Sequence, residues 1–292
     1  MNRSRRILVG SLVFFLIAVL AVVGVTKWQG QRQVQKQPRI VATTDALVAI
    51  AAKLDLKLVG VPKTANQLPK RYRHVAKIGS PMAPNIEKIA ALKPTDVYAV
   101  SVLKDQYSDA FKAQKFHPKF LSLNTIADLK HTLTTLGQKF DRQKQAQHQI
   151  ALIDAAQAQA KKRIHGPKTK VLILMGMPGA GYMIATDHSY VGDLVKKAGG
   201  ENVYASAAGE YLSPSNESLA TKRPDVILRL EHALPNMVKP QFDQEFKTNP
   251  LWAQMPAVKN QRVYDLQQPD FNATATIQAA VALKRVSHWL YE

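Results

Sequence analysis

The chain contains no cysteine. Disulfides, thiolate metal sites, cysteine nucleophiles and lipid attachment through a thiol are therefore excluded. Acid is scarce as well: 21 Asp and Glu stand against 40 Lys and Arg, a formal net charge of +19. Catalytic signatures are missing. The sequence holds no H-E-x-x-H, no G-x-S-x-G and no Walker A lysine, so zinc-hydrolase, serine-hydrolase and nucleotide chemistry have no visible carrier. The eight histidines are dispersed, with no pair at metal-ligand spacing. Met175–Gly181 (MGMPGAG) follows an apolar run but lacks the G-x-G-x-x-G spacing, and reads as a tight turn. No nucleic-acid motif accompanies the positive charge, and the lysines are scattered rather than interleaved with aromatics. Neither an enzyme nor a nucleic-acid-binding protein is expected.

What the chain does have is enough length and apolar content for about two domains: 292 residues, 46% hydrophobic. Ile7–Thr26 carries no charge for 20 residues, the length of one membrane crossing. Arg3, Arg5 and Arg6 precede it, which leaves the N-terminus cytoplasmic and everything after Lys27 outside. No convincing small-x-small site follows Val25, so an uncleaved anchor is expected, with a cleaved and secreted form as the alternative. Gln29–Gln37 is a polar stalk. Residues 1–37 hold six cations and no acid, leaving +13 for the remainder. A basic domain outside the membrane is suited to anionic lipid heads, wall polymers or an anionic ligand.

From Arg39 onward, short β-branched runs alternate with helical ones, the grammar of a parallel sheet covered on both faces. The stretch Gln138–Ile164 has no Gly or Pro and reads as one helix of roughly 40 Å, with Phe140, Ile150, Ile153, Gln157, Ala160 and Ile164 near one face. The strand–helix grammar then restarts. Pro84–Ala90 followed by Pro94 overlays Pro214–Ala220 followed by Pro224, and Asp96-Val97 and Asp225-Val226 each open a strand. The expected fold is α/β, with two Rossmann-like lobes joined by one long rigid helix behind an N-terminal transmembrane anchor. The segments are 1–37 anchor and stalk, 38–137 first lobe, 138–166 connecting helix and 167–292 second lobe. Two lobes on a strut form a cleft, and ligands of open α/β sheets bind beyond the carboxyl ends of the strands.

Two single residues fall at corresponding mouths. Met82 lies in Pro81-Met82-Ala83-Pro84, before a helix of the first lobe. Methionine usually fills cores, but two flanking prolines make a stiff surface loop. His232 follows the strand Val226–Leu230 and precedes Pro235; a lone histidine is more often a surface or satisfied core residue. Thioether and imidazole are a known axial set for haem iron. Spacing alone does not assign them that role.

A resemblance does. LPKRYRHVAKIGSPMAPNIEKIAALKP (residues 68–94), GDLVKKAGGENV (192–203), the AT-x-HSY segment at 185–190, RPDVILRLEH (223–232), and EFKTN followed by VKNQRVYDL carry it over about residues 38–292. In these the chain resembles the haem-receptor family of the iron-regulated surface determinant (Isd) uptake systems of Gram-positive bacteria, of the IsdE type. More broadly it is similar to the helical-backbone, class III substrate-binding proteins of ABC transporters. The resemblance implies a monomeric cell-surface receptor that takes haem from surface donor proteins and delivers it to an ABC permease. Met82 and His232 would be the axial iron ligands. Thr43, Thr44, Lys63 and Thr64 would hold the propionates, and Glu87 and Glu217 would dock on permease arginines. A ferric-siderophore or corrinoid carrier of the same fold is the alternative. Relatives of this kind are usually tethered through a cysteine that this chain lacks, so the apolar segment would replace the lipid. Glu231 beside His232 also departs from the small residues expected there, and is expected to alter haem exposure or the protonation of the imidazole.

Overall fold

In a computed structural model of the chain, the strands from Ile40 onward alternate their inward and outward side chains between separate apolar cores, which sets the layer order. Residues 37–113, 117–205, 208–232 and 234–292 are described; the expected anchor lies outside them. Among the described residues no helix is long and apolar enough to cross a membrane. Residues 39–292 form one compact unit.

The first sheet consists of β1 (Ile40–Ala42), β2 (Leu58–Val61), β3 (Ala76–Lys77), β4 (Asp96–Val100) and β5 (Lys119–Leu121). All five are parallel, in the order β3-β2-β1-β4-β5. The crossovers carry α1 (Asp45–Lys53), α2 (Ile86–Ala91) and α3 (Lys104–Ala113), and α4 (Ile126–Lys139) leaves the lobe. Side chains of adjacent strand residues point to opposite faces. Val41, Val97 and Ala99 accordingly pack under Ile89, Tyr107 and Phe111, while Ile40, Ala42 and Tyr98 face the other way.

The second sheet holds β6 (Lys170–Met177), β7 (Gly181–Ala185), β8 (Glu201–Asn202), β9 (Tyr211–Leu212), β10 (Val226–Glu231) and β11 (Val263–Leu266). Its order is β11-β10-β6-β7-β9, with β8 also on β6. Here the expectation of two copies of one parallel architecture is corrected: β7 runs antiparallel to β6, and β9 antiparallel to β7. The cause is the turn at 177–180. Pro178 precedes Gly179, which has φ +72, and Ala180 N–H donates to the Met177 carbonyl at 3.1 Å. That is a tight turn with proline then glycine at its centre, and so short a connection returns a strand only antiparallel. The helices of this lobe are α6 (Tyr190–Lys197), α7 (Asn216–Ala220), α8 (Pro235–Thr248), α9 (Pro250–Ala253), α10 (Pro256–Lys259) and α11 (Ala279–Tyr291). Leu172, Leu174 and Ile227 pack on Phe242 and Trp252; Val171, Ile173, Val226 and Leu228 face the opposite layer.

That opposite layer is shared. Ile40 and Tyr98 of the first sheet, Leu129 and Leu133 of α4, and Tyr190, Leu194, Leu283 and Val286 of the second lobe belong to one continuous core. The connecting helix α5 (Gln143–Arg163) runs through it. It is shorter than the single helix expected over 138–164. Residues up to Lys139 belong to α4, and the chain turns at Asp141, whose φ is +54; Arg142 N–H closes the turn on the Gly137 carbonyl at 2.7 Å. At about 1.5 Å per residue its 21 residues span roughly 31 Å. The buried stripe is Ala146, Gln149, Ile153, Ala156 and Ala160; of the expected face, Ile153 and Ala160 are buried and Phe140 and Ile150 pack half-buried against the same core. Close helix approach explains the difference. A Cβ at Gly137 would lie 2.7 Å from Ala146 Cβ, so the crossing there takes a small residue, while Ile164, past the helix end, is 40% exposed.

Candidate functional site

The loop bearing Met82 is tied down at every backbone step. β3 ends at Lys77, and Ile78 is fully buried. Gly79 follows at φ +100; a Cβ there would sit 2.8 Å from both the Ala83 carbonyl oxygen and the Asn85 nitrogen. Its own carbonyl accepts from Lys63 N–H at 2.7 Å. Asn85 N–H donates to the Ile78 carbonyl at 2.6 Å, and Ala83 N–H to the Ser80 carbonyl at 3.2 Å. From α3, Gln106 Nε2 donates to the Met82 carbonyl at 2.6 Å, and the Tyr107 hydroxyl donates to the Pro81 carbonyl. The Met82 side chain nevertheless stays 56% exposed. A large apolar side chain left out of the core on an immobilised loop is presented, not packed.

His232 lies at the carboxyl end of β10. Its N–H donates to the Leu230 carbonyl at 3.0 Å, and its carbonyl accepts from Leu234 N–H at 2.9 Å; α8 then starts with Pro235 at its first turn. The Nδ1 atom is buried with no hydrogen-bond partner among the described residues. Burial holds the ring's pKa below the ordinary 6.5, because desolvation disfavours the imidazolium. The result is a neutral imidazole with an uncommitted ring nitrogen, the form in which histidine ligates metals. Glu231 beside it is buried and accepts from Gln267 Nε2 at 3.0 Å; the lowered His232 pKa comes from burial and not from the Glu231 charge. Burial raises the Glu231 pKa.

Thr43 and Thr44 stand where β1 runs into α1. Thr44 is the N-cap, yet its side chain makes no capping bond. Both hydroxyl oxygens are buried and unpartnered among the described residues. The first N–H groups of a helix have no intrahelical acceptors, so this corner holds backbone donors beside two buried hydroxyls, and the N–H groups are the part suited to a carboxylate. The Thr64 side chain is already engaged, which leaves its backbone N–H as the donor the turn could offer. The hydroxyl donates to Asp45 Oδ2 at 2.7 Å, and Asn66 Nδ2 reaches the same oxygen at 2.5 Å, so it braces the loop after β2 against α1. Lys63 beside it has an exposed side chain.

These residues occupy the carboxyl edges of the two sheets, and contacts between the lobes bring those edges face to face. Ala275 N–H, after β11, donates to the Leu123 carbonyl, after β5, at 2.7 Å. Asn124 donates to Glu210, and Ile126 N–H donates to Asp193 Oδ2 at 2.8 Å. A groove lined by Asp45, Asn66 and Leu68 from one lobe and Pro269, Asn272 and Thr276 from the other runs between them. Neither Met82 nor His232 lines that groove. Large apolar side chains are exposed in both lobes: Val102 (47% exposed) besides Met82 in the first, and Leu234 (46%) and Met237 (49%) shortly after His232 in the second. Val102, Leu234 and Met237 escape sequence reasoning, because an apolar residue in sequence reads as core until its exposure is known.

Glu87 and Glu217 take equivalent places. Each is exposed and is the second residue of a short helix, one capped by Asn85 (onto Lys88 N–H), the other by Ser215 (onto Ser218 N–H). Three residues after each glutamate's helix begins, Ile89 and Leu219 are fully buried. The internal echo therefore holds as local structure. Among the described residues no group of three or more His, Asp and Glu could hold a bare metal ion.

Residues 40–269 match the family described as periplasmic binding protein. The chain is 40% identical over 287 residues to the high-affinity heme uptake system protein IsdE of Staphylococcus aureus strain Newman, covering 96% of this chain and 97% of that protein. It is similar to the crystal structure of S. aureus IsdE complexed with heme, with a TM-score of 0.82 and 41% identity over 88% of this chain and 100% of that one. An ABC transporter substrate-binding protein from Listeria monocytogenes EGD-e superimposes with a TM-score of 0.81 and 44% identity, over 88% and 99% of the two chains.

Proposed function

Because this chain belongs to the periplasmic binding protein family, we propose that it captures haem in the cleft between its lobes and delivers it to an ABC permease for iron uptake. The relatives named for heme uptake, and solved with heme, support that ligand. The observation that carries the reading is the buried, unpartnered ring nitrogen of His232 on one carboxyl edge, with the exposed thioether of Met82 held on the other. We assign these two as axial ligands. Haem supplies the iron; the protein supplies a neutral imidazole, a soft sulfur that favours a high reduction potential, and the exposed apolar side chains of Val102, Leu234 and Met237 for the macrocycle. The donors at the start of α1, beside the unpartnered hydroxyls of Thr43 and Thr44, suit a propionate, with the Lys63 ammonium as counter-charge and Thr64 as a brace. The reading places the protein on the extracellular face, held by residues 7–26, with lobes of residues 38–137 and 167–292.

Hemin titration followed by absorbance tests it. One-to-one saturable binding is expected, with Met82→Ala and His232→Ala each changing the Soret spectrum and weakening binding by roughly tenfold or more, the loss of one ligand interaction worth about 1.4 kcal/mol or more. Variant spectra identical to the parent's would remove axial ligation by this pair. The docking role of Glu87 and Glu217 makes a separate prediction: Glu87→Lys with Glu217→Lys should leave hemin affinity intact and abolish haem-dependent growth. Normal growth of that double variant would remove those residues from the permease contact.

A further inference from the structure

The edge of the first sheet that faces away from the cleft is strongly basic, and nothing in haem capture uses it. In a parallel sheet every strand starts on the same edge, so the residues entering β1, β2, β3, β4 and β5 are neighbours. Arg39 precedes β1 and donates to the carbonyls of Leu92 and Lys93 before β4. Lys53 ends α1 and Lys57 immediately precedes β2. Arg71 pairs with Asp55 at 2.6 Å, and Tyr72 donates to the Leu56 carbonyl, which brings Arg71 and Arg73 to the same edge. Lys119 opens β5 and Lys139 closes α4, both on Asp96. Lys93 precedes β4, and with it these eight cations are all exposed, against three carboxylates, of Asp55, Asp96 and Asp141.

We propose that this edge is a docking surface for anionic phospholipid, seating the first lobe on the membrane with the cleft turned outward. Its charge suits a negatively charged bilayer, where each basic side chain near the surface adds to binding. The chain itself supplies the reach: residues 27–38 separate the uncharged run 7–26 from Arg39 on this very edge, and twelve residues extend to at most about 43 Å. That reach rests on the anchor reading; the charge does not. Glu87 and Glu217 begin helices that start from the opposite, carboxyl edge, so a lobe seated this way points them away from the bilayer. Lipid seating and permease docking then exclude one another, and the seated state is a loading orientation released in favour of docking.

Residues 37–292 include the whole compact unit with both sheets and all three cores, and their co-sedimentation with vesicles tests the surface apart from the anchor. At about 0.1 M salt, binding is expected to phosphatidylcholine vesicles containing about 30% phosphatidylglycerol, not to pure phosphatidylcholine, and should vanish near 1 M salt. Lys57→Gln, Arg73→Gln and Lys93→Gln together should weaken it roughly tenfold or more. The control Lys161→Gln, Lys162→Gln and Lys284→Gln removes the same charge from exposed sites on α5 and α11 and should weaken it far less. Equal loss in both triple variants, equal binding to neutral vesicles, or capture by soluble wall polyanion without vesicle binding would each overturn the proposal. Hemin titration of the same samples reports on the cleft separately, so failure here and failure of haem capture are distinguishable.

Discussion

At the residue scale, burial gives the imidazole of His232 the protonation state that the proposed iron ligation requires. A protonated ring has no lone pair for iron. Desolvation holds this ring's pKa below 6.5, so the neutral form persists into mildly acidic solution. Hemin affinity should therefore stay level as pH falls from 8 to about 6.5 and decline only below it; a decline centred above 6.5 would contradict the assignment. The stability sign runs the same way. The unfolded chain takes up the proton first, so this group lowers folding stability as pH falls below the unfolded value. From sequence, His232 and Met82 stood out by place, one after a strand and one between prolines. Their different exposures, a half-buried imidazole and a presented thioether, depend on neighbours far along the chain.

At the element scale, Gly79 is the residue on which the methionine loop turns. Its φ of +100 disfavours any side chain, and a Cβ would press on two backbone atoms at 2.8 Å. Gly79→Ala should cost about 1–3 kcal/mol of stability, read from the urea midpoint, and weaken hemin binding by moving Met82. An unchanged midpoint with unchanged affinity would show that the loop tolerates the strain. The strands and helices were largely legible, since alternation and helical spacing are local. The break between α4 and α5 was not: nothing at Asp141 announces a left-handed residue, and the turn is enforced by the close crossing of Gly137 and Ala146. The Pro178-Gly179 turn was visible in sequence, but its consequence, an antiparallel β7, was hidden behind the expectation of a repeated parallel unit.

At the scale of the whole molecule, the two lobes share one apolar core through α4, α5, α6 and α11, and cross-lobe hydrogen bonds tie α4 to Asp193 and the segment after β5 to the one after β11. Hinge closure would have to open that core. The radius of gyration in solution should consequently differ by less than about 1 Å between haem-free and haem-loaded protein, as for preorganised binding partners. A contraction of several ångströms on loading would instead indicate a hinge. With so little closure, the proposed delivery of haem would require force applied to the lobes from outside, a role open to the one exposed glutamate per lobe if the proposed permease docking holds.

The sequence by itself determined the fold class, the two-lobe plan and the residue types offered to a ligand, because hydrophobic periodicity, turn residues and the paired Glu-to-Pro spacing are all local properties of the chain. It also carried the basic excess, as a number without a location. Only the tertiary structure decided that eight of those cations share one edge, that the Thr64 hydroxyl donates to Asp45, that Glu231 is buried on Gln267, and that Met82 and His232 each follow a strand at the carboxyl edge of its sheet. Each of these depends on which distant segments meet, and that is settled by packing of the common core.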